Sequence, residues 1–435
     1  MTINTSYPAA KTTWGIGSFQ ALAMFRRGLF YAYLSIYLRY YLGMSVTETT
    51  LFSTLPMLVN FLSQTFFWGR FSDSRQLRRT LILWGEAIGA IGTVAVWGFH
   101  ALTNNLYLSG WVIIIGLSLV EIFWSMSNIA WSALISDIYP GHKRNEIMGY
   151  LTSIGGIGRF IGIWIGGVLY DGFGKMYQGW GFHSGFLFFI AAGVMLISMI
   201  PVKYLPEGGI RKEDFFVADC STSCQAETIR LFWIFLVAMF FINFGRNAVL
   251  IVQSQYLVLE AGFNVSSRML SYIYNMDSAA VIIFGIFAGR IGRWIGNGRS
   301  ICLAAVSGAI YLVLFAFTGQ LFLIFVGSFF HGISEVIVTA ASYAFASMLI
   351  PPERRAHLFS LFNATLFLSW GLGGTFVAGP IVDSMMHAGF AAGMAYRAAF
   401  LVGLALVVIG LAIQSTLVFI LLPKSGIPRE MLREQ

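Results

Sequence analysis

Twelve apolar stretches, most of them 20 residues or longer, dominate this 435-residue chain, and a soluble fold has too little interior to hide them. They run over approximately 14–42, 50–69, 80–101, 107–136, 147–170, 184–205, 231–259, 269–290, 300–318, 321–349, 356–382 and 396–422. A helix of about 20 apolar residues crosses the hydrocarbon core of a bilayer, and it satisfies its own backbone N–H and C=O groups on the way. Several stretches exceed that minimum, which permits tilt without fixing an angle. Charged residues make up only 11% of the chain, against roughly 25% in an ordinary soluble domain. The 12 Trp, 18 Tyr and 40 Phe suit helices that face lipid and its interfaces. The expected fold class is therefore all-α and integral to a membrane.

The polar stretch around 206–230 divides the spans six and six. The sequence thus predicts an N-terminal six-helix bundle over 1–205, a central cytoplasmic loop over 206–230, and a C-terminal six-helix bundle over 231–435 with a short cytoplasmic tail. With both termini inside, 19 of the 27 Lys and Arg residues fall in termini and cytoplasmic loops. Four lie outside (Arg39, Lys175, Arg268, Arg397) and four lie within spans (Arg26, Arg27, Arg159, Arg246). This asymmetry sets the orientation. The net charge of +8 is a topology signal, and no nucleic-acid partner is expected. The first fourteen residues are polar and lack a small-residue cleavage site, so no cleaved signal peptide is expected. Short loops point to a prokaryotic cytoplasmic (inner) membrane and a multi-pass monomer.

Enzyme chemistry finds no support. The chain has no phosphate-cradling Gly-Lys-Ser/Thr loop, no nucleophile elbow and no zinc-ligand helix. Cys220 and Cys224 lie in the central loop without nearby histidines, which reads as reduced thiols rather than a metal site. Neither cofactor nor metal is expected.

A repeat relates the two halves. Gly69-Arg-Phe-Ser-Asp73-Ser-Arg-Gln-Leu-Arg78-Arg79 follows one apolar span, and Gly289-Arg-Ile-Gly-Arg293-Trp-Ile-Gly296-Asn-Gly-Arg299 follows another 220 residues later. Each reads as a glycine that lets two helices approach, then a basic turn held on the cytoplasmic side. Leu42–Thr47 matches Ala261–Ser266, Tyr139–Arg144 matches Ile350–Arg355, and Asp171 matches Asp383. Along its whole length the chain resembles the major facilitator superfamily: twelve transmembrane helices in two pseudo-symmetric six-helix bundles, both termini cytoplasmic. The stretch at 69–79 is similar to that family's signature between the second and third helices, with Gly69, Asp73 and Arg78 on its key positions. Gln76 replaces a usual glycine, and Arg293 stands where the second copy usually has an acid. The resemblance implies alternating access, with Gly69, Asp73, Arg78, Arg79 and Gly289 governing the cytoplasmic gate.

Charges inside the membrane carry the remaining information. An arginine at the bilayer centre costs about 2.5–3.5 kcal/mol on insertion scales, so it should face a cavity or a partner. Arg27 and Arg246 lie mid-span at matching places in the two halves, and each is followed ten residues later by a tyrosine, Tyr37 and Tyr256. Two guanidiniums on a central cavity would form a bidentate clamp for a carboxylate or phosphate. Arg26 points about 100° away from Arg27 and reads as a helix-packing group. Arg159, in the glycine-dense stretch 155–162, lines the cavity or anchors its helix. The acids Glu86, Glu121, Asp277 and Glu335 could equally pair with these arginines and leave a purely structural network. Glu121 is the proton-exchange candidate, since a carboxylate in an apolar bundle beside an arginine changes proton affinity as the site changes exposure. Its surroundings, and the places of Arg27 and Arg246, are similar to the anion:cation symporter and organophosphate branches of the superfamily. Asp277 and Glu335 are further proton-coupling candidates, Asp277 equally a sodium ligand, and His331 reads as a packing residue.

These features describe a secondary active transporter of a small organic anion, coupled to a proton, whose partners are the substrate, the coupling ion and the lipid bilayer. The competing reading is a proton-driven exporter of amphipathic or cationic compounds, in which the acids read the cargo. A membrane receptor or scaffold is a third reading, which the short loops and the gate element disfavour.

Overall fold

Each of the twelve apolar stretches becomes helical. The computed structural model describes residues 10–75, 77–139, 141–208, 222–350 and 355–424, and no strand occurs among them. The helices are α1 (Ala10–Ile36), α2 (Val46–Ser63), α3 (Gly69–Arg75), α4 (Arg78–Leu102), α5 (Leu106–Ile138), α6 (Gly141–Leu169), α7 (Trp180–His183) and α8 (Phe186–Lys203), then α9 (Thr222–Asn247), α10 (Leu250–Val258), α11 (Ser267–Ile295), α12 (Asn297–Phe317), α13 (Leu321–Leu349), α14 (Arg355–Gly373), α15 (Gly379–His387) and α16 (Ala392–Thr416). Single π-helical turns extend or join several of them, at Tyr37–Tyr41, Gln64–Trp68, Gly374–Ala378 and Leu417–Leu421.

Among the described residues, ten helical segments are long and apolar enough to cross a membrane. The first two stretches fall outside that set, because α1 carries Arg26 and Arg27 and α2 carries a run of Thr, Ser and Asn. Polar side chains in a membrane helix face protein or water rather than lipid, so these two helices read as interior-facing ones.

The chain divides into two compact units. One comprises Met1–Gly43 and Leu55–Glu213, the other Met44–Thr54 and Asp214–Gln435. The start of α2 thus belongs with the second unit, an assignment the linear order of the spans does not suggest. Asp383 caps it: Val46 N–H and Thr47 N–H donate to the two carboxylate oxygens at 3.0 and 2.7 Å. A carboxylate there meets the unpaired N–H groups and the positive end of the helix dipole.

Glycine decides how closely helices pack in the first unit. A Cβ on Gly158 or Gly162 of α6 would sit 2.1 or 2.0 Å from the carbonyl oxygens of Ala21 and Phe25 in α1. One on Gly85 of α4 would lie 2.8 Å from the Ser127 Cβ of α5. In the second unit Gly332 of α13 serves the same end, its missing Cβ lying 2.3 Å from the Asp277 carbonyl oxygen of α11. Small residues at such crossings allow backbone approach in the absence of a hydrophobic drive between helices.

The repeated Gly-basic element differs between its two copies. In the first, the turn falls between α3 and α4, and Arg70 and Arg75 are themselves helical. In the second, α11 runs unbroken through Gly289 and Arg293, and the turn is made at Gly296 with φ +90°. The expected basic turn beginning at Gly289 is therefore the end of a helix.

Candidate functional site

Ionisable side chains gather inside each unit at one place, and the elements that hold them are the tightly crossed helix pairs. In the first unit, the contact of α1 with α6 fixes the stretch bearing Arg26 and Arg27, while the crossing of α4 and α5 brings Glu86 against Trp124 and Ser127. Arg26 is 6% exposed and its Nη1 lies 3.6 Å from the Glu86 carboxylate. The other oxygen of Glu86 accepts from Trp124 Nε1 and Ser127 Oγ, both at 2.9 Å. The Trp124 ring also carries the Arg26 guanidinium 3.9 Å above its centroid, with that of Arg27 at 5.3 Å. Cation–π contact of this kind strengthens where water is excluded.

Glu121, one turn before Trp124 on α5, is buried and accepts from Asn60 Nδ2. Arg26, Tyr31, Thr93, Glu121, Trp124 and Met195 line a small pocket within this unit. Arg27 is half-buried where Arg26 is buried, as their angular separation requires. Arg159 is half-buried on α6, its carbonyl oxygen 2.5 Å from where a Cβ on Gly28 would stand. Two arginines and two carboxylates make this cluster neutral in formal charge.

The second unit repeats the plan with different chemistry. Arg246, near the end of α9, is 2% exposed, and its Cδ lies 3.9 Å from the position a Cβ on Gly308 would take. Its Nε and Nη1 have no hydrogen-bond partner among the described residues. Glu335 and Asp277 are the carboxylates that act on it electrostatically. Asp277 is itself engaged: His331 Nδ1 and its Oδ1 are 2.8 Å apart. Tyr311 of α12 packs on the His331 ring, centroids 4.8 Å apart, and donates its hydroxyl to Gln253 at 2.7 Å. One arginine here stands among two carboxylates.

Several expected site residues stand elsewhere. Tyr37 is sealed from solvent, stacked on Tyr41 and Phe182, with its hydroxyl 2.8 Å from His100 Nε2. Tyr256 is 1% exposed and its hydroxyl accepts from Arg397 Nε at 3.1 Å. Ten residues of helix is about 15 Å of rise, so both tyrosines stand far from their arginines and serve packing. Arg78, 4% exposed, holds Asp137 at 3.2 Å and also donates to Ser72. Arg79 pairs with Glu207 at 3.1 Å and donates to the Leu205 carbonyl. Gly69 begins α3, its missing Cβ lying 2.7 Å from the Gln64 carbonyl oxygen, and Gly289 is exposed on α11. The side chains of Asp73, Lys143, Arg144 and Cys224, and the whole of Gln76, Pro140 and Cys220, lie outside the described residues.

Trp124, Ser127, Asn60 and Gln253 were not anticipated as partners. Trp124 and Ser127 follow Glu121 at intervals of three on one helix, and that spacing is the one signal that could have marked a polar stripe.

The sequence profile described as Major Facilitator Superfamily matches residues 16–374 and again 235–434. The chain belongs to this superfamily. It is therefore a multi-pass membrane transporter of small molecules and not an enzyme. No curated protein sequence matches it. Among solved structures, it is similar to a bacterial homologue of the drug peptide transporters of human cells, at 12% identity over 96% of this chain and 99% of that one, with a TM-score of 0.70. The nucleoside transporter NupG aligns at 14% identity over 93% and 98%, TM-score 0.67. A bacterial homologue of the human lysosomal transporter Spinster, inward-facing and unoccupied, aligns at 15% over 94% and 97%, TM-score 0.63. At such identities these superfamily members share the fold.

Proposed function

We propose that this superfamily member is a secondary active transporter of a small organic anion, a carboxylate or phosphorylated compound, coupled to proton movement. The observation that carries the reading is Arg246. A guanidinium 2% exposed that keeps Nε and Nη1 without a partner among the described residues has donors ready for an oxyanion. A planar fork of this kind suits carboxylate and phosphate, and each charge-assisted hydrogen bond stabilises the bound anion by about 1.5–3 kcal/mol. Arg27, half-buried beside Trp124, is the anion-binding arginine of the first unit, and Arg159 supports it. Glu121, buried against Asn60, is the proton-exchanging group, with Asp277 and Glu335 its counterparts in the second unit. In this reading the chain has twelve spans and alternates access as a monomer in a bacterial cytoplasmic membrane, both termini inside. Gly69, Asp73, Arg78, Arg79 and Gly289 belong to the cytoplasmic gate.

The test is thermal stabilisation of the purified protein across organic acids, phosphate esters and cationic drugs, repeated with Arg27→Ala and Arg246→Ala. Anions that stabilise the parent and neither variant support the reading. A second reading, export of cationic compounds, is favoured by the two carboxylates of Asp277 and Glu335 around a single arginine. Stabilisation by cations alone, surviving both arginine substitutions and lost in Asp277→Asn, would establish it instead.

A further inference from the structure

Asp277, His331 and Glu335 offer one ligand atom each, and the three atoms lie within 4.8 Å of one another. His331 and Glu335 are four residues apart on α13, so they project from one face of that helix. Asp277 comes from α11, and it reaches His331 because Gly332, the residue next to the histidine, leaves no Cβ between the two helices. The donor set is thus brought together by a crossing that the backbone itself fixes.

A second, independent observation concerns the imidazole. One ring nitrogen of His331 is held by Asp277 at 2.8 Å, while the other, Nε2, has no hydrogen-bond partner among the described residues although the residue is 5% exposed. A buried polar atom is seldom left in this way, because losing its water without gaining a partner is costly. An ion seated beside Nδ1 takes the place of the hydrogen bond between His331 and Asp277, because imidazole ligates through a lone pair on one nitrogen and can hold its proton on the other. We infer that Asp277, His331 and Glu335 form a binding site for a divalent transition-metal ion in the second unit. Imidazole with two carboxylates suits zinc, manganese or iron, whereas sodium, magnesium and calcium prefer oxygen donors alone. Glu335 is half-buried where the other two are buried, and it gives the ion a way in. From sequence no metal is expected, and of these three Asp277 alone is named as an ion ligand, for sodium.

The charges facing this site are Arg246 from α9, and its neighbours include the Tyr311 hydroxyl from α12. Arg246 repels a cation and weakens the site without abolishing it, since two carboxylates outweigh one guanidinium. The sign of its effect separates specific binding from loss of fold: removing the arginine should tighten metal binding, and removing any ligand should weaken it. The inference is independent of the organic-anion reading, because an anion panel can fail while the metal still binds.

The experiment is calorimetric titration of the full-length protein in detergent with Zn²⁺ and Mn²⁺, with Mg²⁺ and Na⁺ as controls, alongside thermal unfolding. We expect one equivalent of Zn²⁺ or Mn²⁺ per chain with a rise in Tm, weakened roughly 10–100-fold in His331→Gln and in Asp277→Asn. Arg246→Gln should bind more tightly than the parent. Should the buried variants fail to fold, Glu335→Gln replaces them, and the visible spectrum of bound Co²⁺ reports whether a nitrogen ligand is present. Absence of binding overturns the site. So does a response to Mg²⁺ or Na⁺ equal to that to Zn²⁺, or binding that survives His331→Gln or Glu335→Gln.

Discussion

The two ionic clusters begin from one template and end differently. In the first unit, Arg26 meets Glu86 at 3.6 Å, Trp124 lies under the guanidinium and donates to the same carboxylate, and Asn60 holds Glu121. In that cluster a single arginine donor, Arg26 Nη2, is left without a partner among the described residues. In the second unit, Asp277 is taken by His331, and among the described residues Arg246 keeps Nε and Nη1 unpartnered. A buried charge network whose members satisfy one another holds helices together, and one with donors to spare is ready for a ligand. Each half carries a buried arginine on its first long helix, Arg26 and Arg246, and the residues around the two differ.

The contrast breaks most sharply at Arg26. Arg26→Ala leaves Glu86 buried with no countercharge at contact distance and should destabilise the protein by about 3–5 kcal/mol, read as a large fall in the thermal unfolding midpoint. If Arg246→Ala falls as far, the two clusters are both structural and the contrast is lost. Arg246→Ala should instead act on the ligand. Loss of two charge-assisted hydrogen bonds, about 3 kcal/mol, weakens anion binding roughly 100-fold, measured by titration of whichever anion stabilises the parent.

Helix crossings supply a milder probe. Gly162→Ala drives a methyl into the Phe25 carbonyl and Gly332→Ala drives one into that of Asp277. Each should cost about 1–3 kcal/mol in stability. Only Gly332→Ala displaces the His331–Asp277 pair, so it alone should also weaken ligand binding; equal effects of the two on binding would mean that the clusters are not separable. The smallest effect is expected at Tyr37→Phe, which removes the hydroxyl contact with His100 at about 1 kcal/mol and leaves transport unchanged. A loss of uptake there would return Tyr37 to the substrate path.

Membership and helical architecture were legible because they are written in runs of twenty residues, a scale at which local accidents average out. The expected separation of Arg26 from Arg27 was less legible, because both guanidiniums come over the Trp124 ring and Arg26 lines the small pocket. The partners of those charges were not legible. Glu86 lies 38 and 41 residues from Trp124 and Ser127, and Asn60 lies 61 from Glu121. Such pairings depend on which helices cross, and the glycines that set the crossings look alike in sequence whether or not a neighbour fills the gap. The partners of the tyrosines after Arg27 and Arg246, His100 and Arg397, were hidden for a related reason. Equal spacing in two halves does not say which helices will cross beside them. Asp383 shows the same limit from another side: it matches Asp171 in the repeat, yet it caps the start of α2 in the second unit while Asp171 accepts from its own loop at Gly174.

The measurement that bears most directly on the central claim is a pair of binding isotherms for one stabilising organic anion, taken with Arg26→Gln and Arg246→Gln beside the parent. The account predicts that the Arg26 variant, once folded, binds within a few-fold of the parent while the Arg246 variant binds about 100-fold more weakly. Undiminished binding in Arg246→Gln would contradict it.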